Sequence, residues 1–307
     1  MVTKTLSPHP GAISESNTKL LNFITDHGPV FVLTGAGISI ASGLGAYRDD
    51  QGKWLRKQPI TGPEFLAKEA TRKRYWTRSF VGWPSVVKAR PNAAHQSLAT
   101  LHDQGLITRL VTQNVDGLHS RVGHPDVIDL HGNLHLIKCT SCGERSDRSV
   151  MQNRLLDNNP VLRQFEGNDA PDGDSDARLK HAPGSENFPA DDDHLAAQAI
   201  ENLIIPECRS CGGVLKPDVV FFGENVERDI VDDAFASLEQ AGALLVIGSS
   251  LMIYSGYRFA RHADSTNKPI AIVNRGVTRA DDIATLKVLS DCEDALTAVT
   301  RTYQQKT

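Results

Sequence analysis

Apolar and polar positions come in blocks along the chain. Leu20, Leu21 and Ile24 recur at helical spacing within residues 16–27, with Ser16 or Asn17 placed to cap a helix and Gly28-Pro29 to end it. The apolar run Val30–Leu33 follows and stops at Thr34-Gly35-Ala36-Gly37, the pattern of a buried strand feeding a glycine turn. Further apolar runs at Ile107–Thr112, Val127–Leu130, Val219–Phe222, Ala243–Ile247 and Ile270–Val273 read as strands, with helical patterns at about 92–103 and 229–240 among them. Strands alternating with helices predict an α/β fold built on a mostly parallel sheet, covered on both faces. Residues 50–85 differ in character. Their Gly and Pro punctuation, Trp54, Trp76 and Trp83, and the basic stretch TRKRYWTR predict short helices carrying a mobile connection.

The glycine turn begins like a dinucleotide-binding loop. Gly35 and Gly37 have the required spacing, but the third glycine of that fingerprint is replaced by Ile40, and the next glycine is Gly43. A dehydrogenase, which needs the regular spacing and an acidic residue about 20 residues on, is therefore disfavoured. Polar clusters end the other apolar runs: Thr112–Asp116 with His119, His131-Gly132, Lys216–Glu224, Gly248-Ser249-Ser250 and Asn274-Arg275-Gly276. In open α/β sheets ligands collect at the carboxyl ends of strands, so these clusters are expected to converge. Gly248-Ser249-Ser250 supplies amides and hydroxyls for a phosphate or ribose, and Asn274 is placed like a ribose ligand. Among His95, His119, His131 and His135, only His131 stands directly between an apolar run and a glycine, which makes it the candidate general base.

Four of the five cysteines form two C-x-x-C pairs, Cys139/Cys142 and Cys208/Cys211. Each pair can chelate one ion through two thiolates, and two pairs complete a closed tetrahedral shell, which marks zinc here as structural. The 65 residues between the pairs exceed the usual zinc-ribbon gap and read as an insertion. Within it, residues 166–194 carry nine acids and two bases, so this stretch is net −7 in a chain whose total is −4. Few aliphatics and many Asp, Gly, Pro and Ser predict a long mobile loop there. The acidic surroundings argue against a zinc-ribbon nucleic-acid module, and the overall charge argues against a general nucleic-acid or membrane-surface binder. No run of 18 apolar residues is present, and the first residues, MVTKTLSPHPGAIS, lack a signal or transit pattern, so the expectation is a cytoplasmic protein.

Together, GAGIS-x-x-SG-x-x-x-YR, TQNVDGLH, LHG, the paired C-x-x-C, KPDVVFFGE, GSSL and the IVN strand end resemble the sirtuins, the NAD-dependent protein lysine deacylases, over about residues 16–298. RKRYWTRSFVGWP, APDGD and YSGYRF further resemble a class II branch that includes a mitochondrial sirtuin with ADP-ribosyltransferase and lipoamidase activities. The resemblance implies a Rossmann-like NAD-binding domain (16–49, 86–134 and 216–307) with a helical insertion and cofactor loop (50–85). A smaller zinc-binding domain (135–215) is inserted and carries the acidic loop. It implies NAD contacts from Gly35, Ala36, Gly37, Ser39, Tyr47, Arg48, Gln113, Asn114, Asp116, Gly248, Ser249, Ser250, Asn274, Arg275, Gly276 and Cys292. It also implies catalytic roles for His131 and Asn114 and an acyl-lysine tunnel along Val219, Val220, Phe221 and Phe222, with the substrate pairing as an extended strand.

The implied reaction is not redox. The acyl oxygen of an acylated lysine attacks the nicotinamide ribose, nicotinamide leaves, and His131 activates the ribose 2′-hydroxyl to take the acyl group. The expected partners are acylated lysine side chains of proteins, with no nucleic acid and no membrane. Mono-ADP-ribosyl transfer and lipoamidase-type deacylation are the alternatives within the family. Arg78, in YWTRSF, and Arg72 to Arg74 either form a solvated helix face or meet an acidic acyl chain. One departure is Leu44-Gly45-Ala46, where the family usually carries Ile-Pro-Asp, and it predicts a looser cofactor loop.

Overall fold

A computed structural model describes residues 14–53, 55, 59–165 and 200–306. The acidic stretch 166–194 and Trp54 lie outside the described residues. Helix α1 (Glu15–His27) starts at Ser14, whose side chain accepts from the Asn17 amide, and it buries Leu20, Leu21, Phe23 and Ile24. Strand β1 (Val30–Thr34) is buried at all five positions, which is why it reads as an unbroken apolar run and not as an alternating one. A 3₁₀ helix, Ala36–Ser42, follows directly.

The main sheet also contains β2 (Ile107–Thr112), β3 (Ile128–Asp129), β7 (Leu244–Ile247), β8 (Ile270–Val273) and β9 (Leu286–Val288). All its pairings are parallel, in the order β3-β2-β1-β7-β8-β9. On one face Val32, Leu245 and Ala271 pack against α1, α4 (Ala93–Asp103) and α9 (Cys292–Lys306) through Leu20, Leu98 and Leu296. On the other, Phe31, Leu33 and Val246 pack against α7 (Arg228–Gln240) and α8 (Tyr254–Ser265) through Leu238 and Phe259. Each strand residue thus chooses a face by the period-2 alternation of side chains, and burial of each large one contributes about 1.5–3 kcal/mol. Successive strands are added on one side of β1 (β2, β3) and then on the other (β7, β8, β9), and this switch in strand order opens a crevice at the carboxyl ends of β1 and β7.

A second, antiparallel sheet has the order β5-β4-β6, from β4 (Gly132–Cys139), β5 (Arg145–Asp147) and β6 (Leu215–Val219). This corrects the strand expected at Val219–Phe222: the strand is Leu215–Val219, and it belongs to the small sheet, not to the parallel one. Pro217 is tolerated because β6 lies at the sheet edge, where a missing amide donor costs little.

The expectation of short helices between residues 50 and 85 is also corrected. After the short α2 (Gly62–Ala67), α3 (Glu69–Lys88) runs for 20 residues with Pro84 in its last turns. Tertiary packing explains its length. Phe65, Trp76 and Phe80 share one hydrophobic cluster with Ile137, Cys139, Leu215 and with Met151 and Leu155 of α6 (Arg148–Asn158). Buried Arg148 locks this cluster: it donates to Ser79 O and Oγ and lies over the Trp76 and Trp83 rings at 5.4 and 4.9 Å. Burial lowers its guanidinium pKa to about 10, so it stays charged near neutrality.

Candidate active site and metal centre

The turn after β1 and the turn after β7 touch backbone to backbone. The Gly37 amide donates to Gly248 O at 2.8 Å, and a Cβ on Gly37 would lie 2.7 Å from Gly248 Cα. Gly248 adopts φ +62°, a conformation that glycine supplies without steric cost. A side chain at Gly37 or Gly248 would collide with the opposing main chain. The 3₁₀ helix ends at Gly43, which takes φ +83°. No standard nucleotide-loop helix forms there, and the absence of a third glycine at Ile40 accords with this geometry.

Around these turns the polar clusters converge. Gln113 Nε2 donates to Ser249 Oγ at 2.7 Å, linking the ends of β2 and β7. Asn114 Nδ2 donates to Gly35 O and to Ser39 Oγ, both at 3.1 Å. Asp116 accepts from Ser39 Oγ at 2.8 Å and from the Leu118 amide at 2.9 Å. Burial pushes the Asp116 carboxyl up, against the pull of these two donors. Asn274 Nδ2 donates to Gly276 O at 3.1 Å, and Arg275 pairs with Asp291. Cys292 is buried, and burial raises its thiol to about 12, so it is an uncharged wall and not a nucleophile.

All the residues expected to contact cofactor or acyl-lysine border one cleft of about 640 Å³, as do Tyr75, Arg78 and Ser255. Val219 to Phe222 form one wall. Thr61 bridges to Phe222, and the Val220 amide donates to His131 O at 2.9 Å. Glu224 accepts from the Phe221 amide at 2.8 Å and pairs with Lys216 at 2.9 Å, which fixes the turn beyond the wall.

His131 sits at the back of the cleft with both ring nitrogens engaged. Nδ1 lies 2.8 Å from Gln113 O and Nε2 lies 2.7 Å from Ser255 Oγ. A carbonyl has no proton to give, so Nδ1 must carry the hydrogen and Nε2 the lone pair. Burial, opposed by the Gln113 carbonyl, lowers the His131 pKa and keeps the ring neutral. The other histidines have different employment. His95 completes a capping box with Asn92 at the start of α4. His119 Nε2 is bonded to Thr34 Oγ1 at 3.0 Å, and His135 Nε2 bonds to Asp116 O at 3.1 Å.

Two contributors escaped the sequence reading. Asn92 Nδ2 donates to Ile38 O at 2.7 Å and to Ser42 Oγ at 3.1 Å, clamping the 3₁₀ helix onto α4. Ser255 reaches His131 because the next residue is Gly256, where a Cβ would lie 2.4 Å from Gln113 Oε1. The YSGYRF stretch that carries part of the family resemblance contains this serine, but no role attached to it in the sequence.

At the small sheet, the four Sγ atoms of Cys139, Cys142, Cys208 and Cys211 lie within 4.8 Å of one another. The two C-x-x-C turns are built alike. Gly143 and Gly212 follow the second cysteines with φ +77° and +71°, and their amides donate to Cys139 O and Cys208 O. Four convergent thiols on two matching turns fit one tetrahedral zinc ion with a closed shell, which would hold the turns and the sheet together.

A six-stranded parallel sheet with a polar cleft at its switch point, joined to a four-cysteine module, defines a nucleotide-binding α/β protein with a structural metal centre. A profile described as the Sir2 family matches residues 35–255, and the chain belongs to that family. It is 48% identical over 281 residues to "NAD-dependent protein deacetylase 2" of Bradyrhizobium diazoefficiens, covering 92% of this chain and 96% of that protein. It is 40% identical over 286 residues to "NAD-dependent protein deacylase SIR4" of Batrachochytrium dendrobatidis, covering 91% of each. Among solved structures, "Sir2 bound to acetylated peptide" superposes with a TM-score of 0.70 at 26% identity, covering 94% of this chain and 98% of that one. "Sir2-p53 peptide-NAD+" gives the same TM-score, identity and coverage.

Proposed function

We propose that the protein is an NAD-dependent protein lysine deacylase, which moves the acyl group from lysine to ADP-ribose and releases nicotinamide. The observation that carries this reading is the position of neutral His131 on the lining of a cleft that also holds Gln113, Asn114, Asp116, Ser249 and Asn274, with its Nδ1 fixed by Gln113 O. Family membership and relatives named as deacetylases support it.

The donor set fits a dinucleotide. Glycine main chain at Gly35, Gly37 and Gly248 suits the pyrophosphate, while Ser249, Ser250 and Asn274 suit the adenosine half. Bound NAD supplies a nicotinamide leaving group and a ribose carbon open to attack. Asn114 and Asp116 would hold the carboxamide end, Asp116 through its raised and partly satisfied carboxyl. His131 would accept the proton of a ribose hydroxyl. The wall Val219–Phe222 would pair with an extended acyl-lysine segment and exclude water from the reacting atoms. Cys139, Cys142, Cys208 and Cys211 would hold zinc for the fold alone.

The test is release of nicotinamide from NAD, strictly dependent on acylated peptide, across acetyl-, succinyl-, glutaryl-, lipoyl- and long-chain acyl-lysine. Mass spectrometry of the peptide separates deacylation, which loses the acyl mass, from ADP-ribosyl transfer, which gains ADP-ribose. Tyr75 and Arg78 on the cleft wall make the acidic acyl chains an informative arm of the panel.

A further inference from the structure

Nε2 of His131 does not face the cleft unaccompanied. It is held by Ser255 Oγ at 2.7 Å, and with Nδ1 carrying the hydrogen, the serine hydroxyl must be the donor. The lone pair needed for base chemistry is thus already occupied. For the ring to take a substrate proton directly, it would have to turn, breaking the Gln113 bond, or Ser255 would have to rotate away. Either route gives up a hydrogen bond with a net worth of about 1 kcal/mol.

The surroundings hold Ser255 in place. It is the second residue of α8, and its carbonyl accepts from Arg258 Nε at 3.1 Å. Gly256 lies directly against the Gln113 side chain, so the start of the helix is wedged against the loop that also orients His131. Ser255 also lines the cleft. A hydroxyl that donates to Nε2 keeps its own lone pairs for a donor arriving from the cleft.

We infer that Ser255 is a catalytic proton relay between the substrate hydroxyl and His131. The substrate O–H bond breaks as a bond forms from that hydrogen to Ser255 Oγ. In the same step the Ser255 O–H bond breaks and the hydrogen passes to His131 Nε2. The serine ends unchanged, the imidazole becomes imidazolium, and the substrate oxygen gains the electron pair with which it attacks the acyl carbon. No co-reactant is needed. This inference rests on the deacylase reading and names the group that first meets the substrate proton.

The experiment uses the full-length, zinc-loaded protein with NAD and an acetyl-lysine peptide. It compares single-turnover acyl transfer in wild type, Ser255→Ala and Ser255→Thr. In parallel, ¹⁵N NMR of the histidine rings reports the His131 tautomer. The relay predicts a loss of about 10²-fold or more in Ser255→Ala. It predicts recovery to within about tenfold of wild type in Ser255→Thr, which restores the hydroxyl. The Nδ1–H tautomer of His131 should be the same in all three proteins, because Gln113 O sets it. A Ser255→Ala rate within threefold of wild type would overturn the relay, as would failure of threonine to rescue. So would a change of His131 tautomer in Ser255→Ala, which would make the serine a ring-positioning group. An inactive wild type, by contrast, would overturn the deacylase reading itself.

Discussion

Ser39 and Asp116 stand 77 residues apart in sequence and are joined by a 2.8 Å hydrogen bond at the back of the cleft. The bond ties the 3₁₀ helix after β1 to the loop after β2. The same serine oxygen accepts from Asn114 Nδ2 at 3.1 Å. Replacing Asp116 by Ala would leave the Ser39 hydroxyl and the Leu118 amide short of a partner in a buried place. The expected cost is about 1–3 kcal/mol of stability, read by urea denaturation. Nicotinamide release should be lost beyond what the remaining folded fraction explains.

His131→Ala removes no core contact, and the groups it exposes, Gln113 O and Ser255 Oγ, can take up water from the cleft. Acyl transfer should therefore fall by at least about 10²-fold while the melting temperature and NAD binding stay close to wild type. The wild-type acid limb follows from the lowered His131 pKa. Activity should drop with an acid inflection below the ordinary 6.5, as the ring protonates. A plot of kcat/KM against pH with its acid inflection above 6.5 would contradict the assignment.

His95 and His119 make stability depend on pH. Burial lowers His95 to about 4 and His119 well below the ordinary 6.5. Between the folded and unfolded values the unfolded chain binds more protons, so stability is full above 6.5 and is lost as pH falls from there toward 4. Each ring contributes a slope of up to about 1.4 kcal/mol per pH unit in that window. Urea midpoints measured at pH 7, 6 and 5 should fall progressively, and His95→Gln should flatten the decline.

Zinc removal should act on the fold before it acts on the chemistry. The four cysteines lie outside the cleft, and Cys139 and Cys208 share a hydrophobic cluster with Trp76 and Phe80. Chelation, or Cys208→Ser, should lower the melting temperature and expose the Trp76 environment to fluorescence quenchers, with activity lost in parallel. Full activity and an unchanged melting temperature without metal would rule out a structural ion.

Gly45 borders the cleft and, unlike Gly43, does not use the left-handed region. The left-handed conformation that would exclude proline is therefore absent there. Gly45→Pro should stiffen the loop by about 0.4–1 kcal/mol, tightening NAD binding about two- to fivefold by calorimetry. Equal affinity would show that the loop is already ordered without it.

Local sequence signals reported much of this architecture. The strands at Ile107–Thr112 and Ile270–Val273 have the bounds the sequence predicts, and the second, buried at all four positions, is apolar throughout because both its faces are covered. The paired cysteines lie together because each C-x-x-C turn is a self-contained chelate with its own glycine. Where the reading failed, a distant partner had decided the outcome. Residues 69–88 form one helix because Trp76 and Phe80 have the small sheet to pack on, which no local periodicity announces.

Strand Leu215–Val219 joins β4 because an edge position spares Pro217 its missing donor, and it leaves Val220–Phe222 free to form the cleft wall. The candidate base shows the same division most sharply. Its place at a strand end before Gly132 singled out His131 in sequence. Its tautomer, its neutral state and its contact with Ser255 exist only because Gln113 O and the start of α8, 18 and 124 residues away, are brought to opposite edges of the ring. Sequence determines which groups can do the chemistry, because composition and spacing are local. Tertiary structure decides which lone pair faces the substrate, because hydrogen bonds of 2.7–2.8 Å depend on elements far apart in the chain.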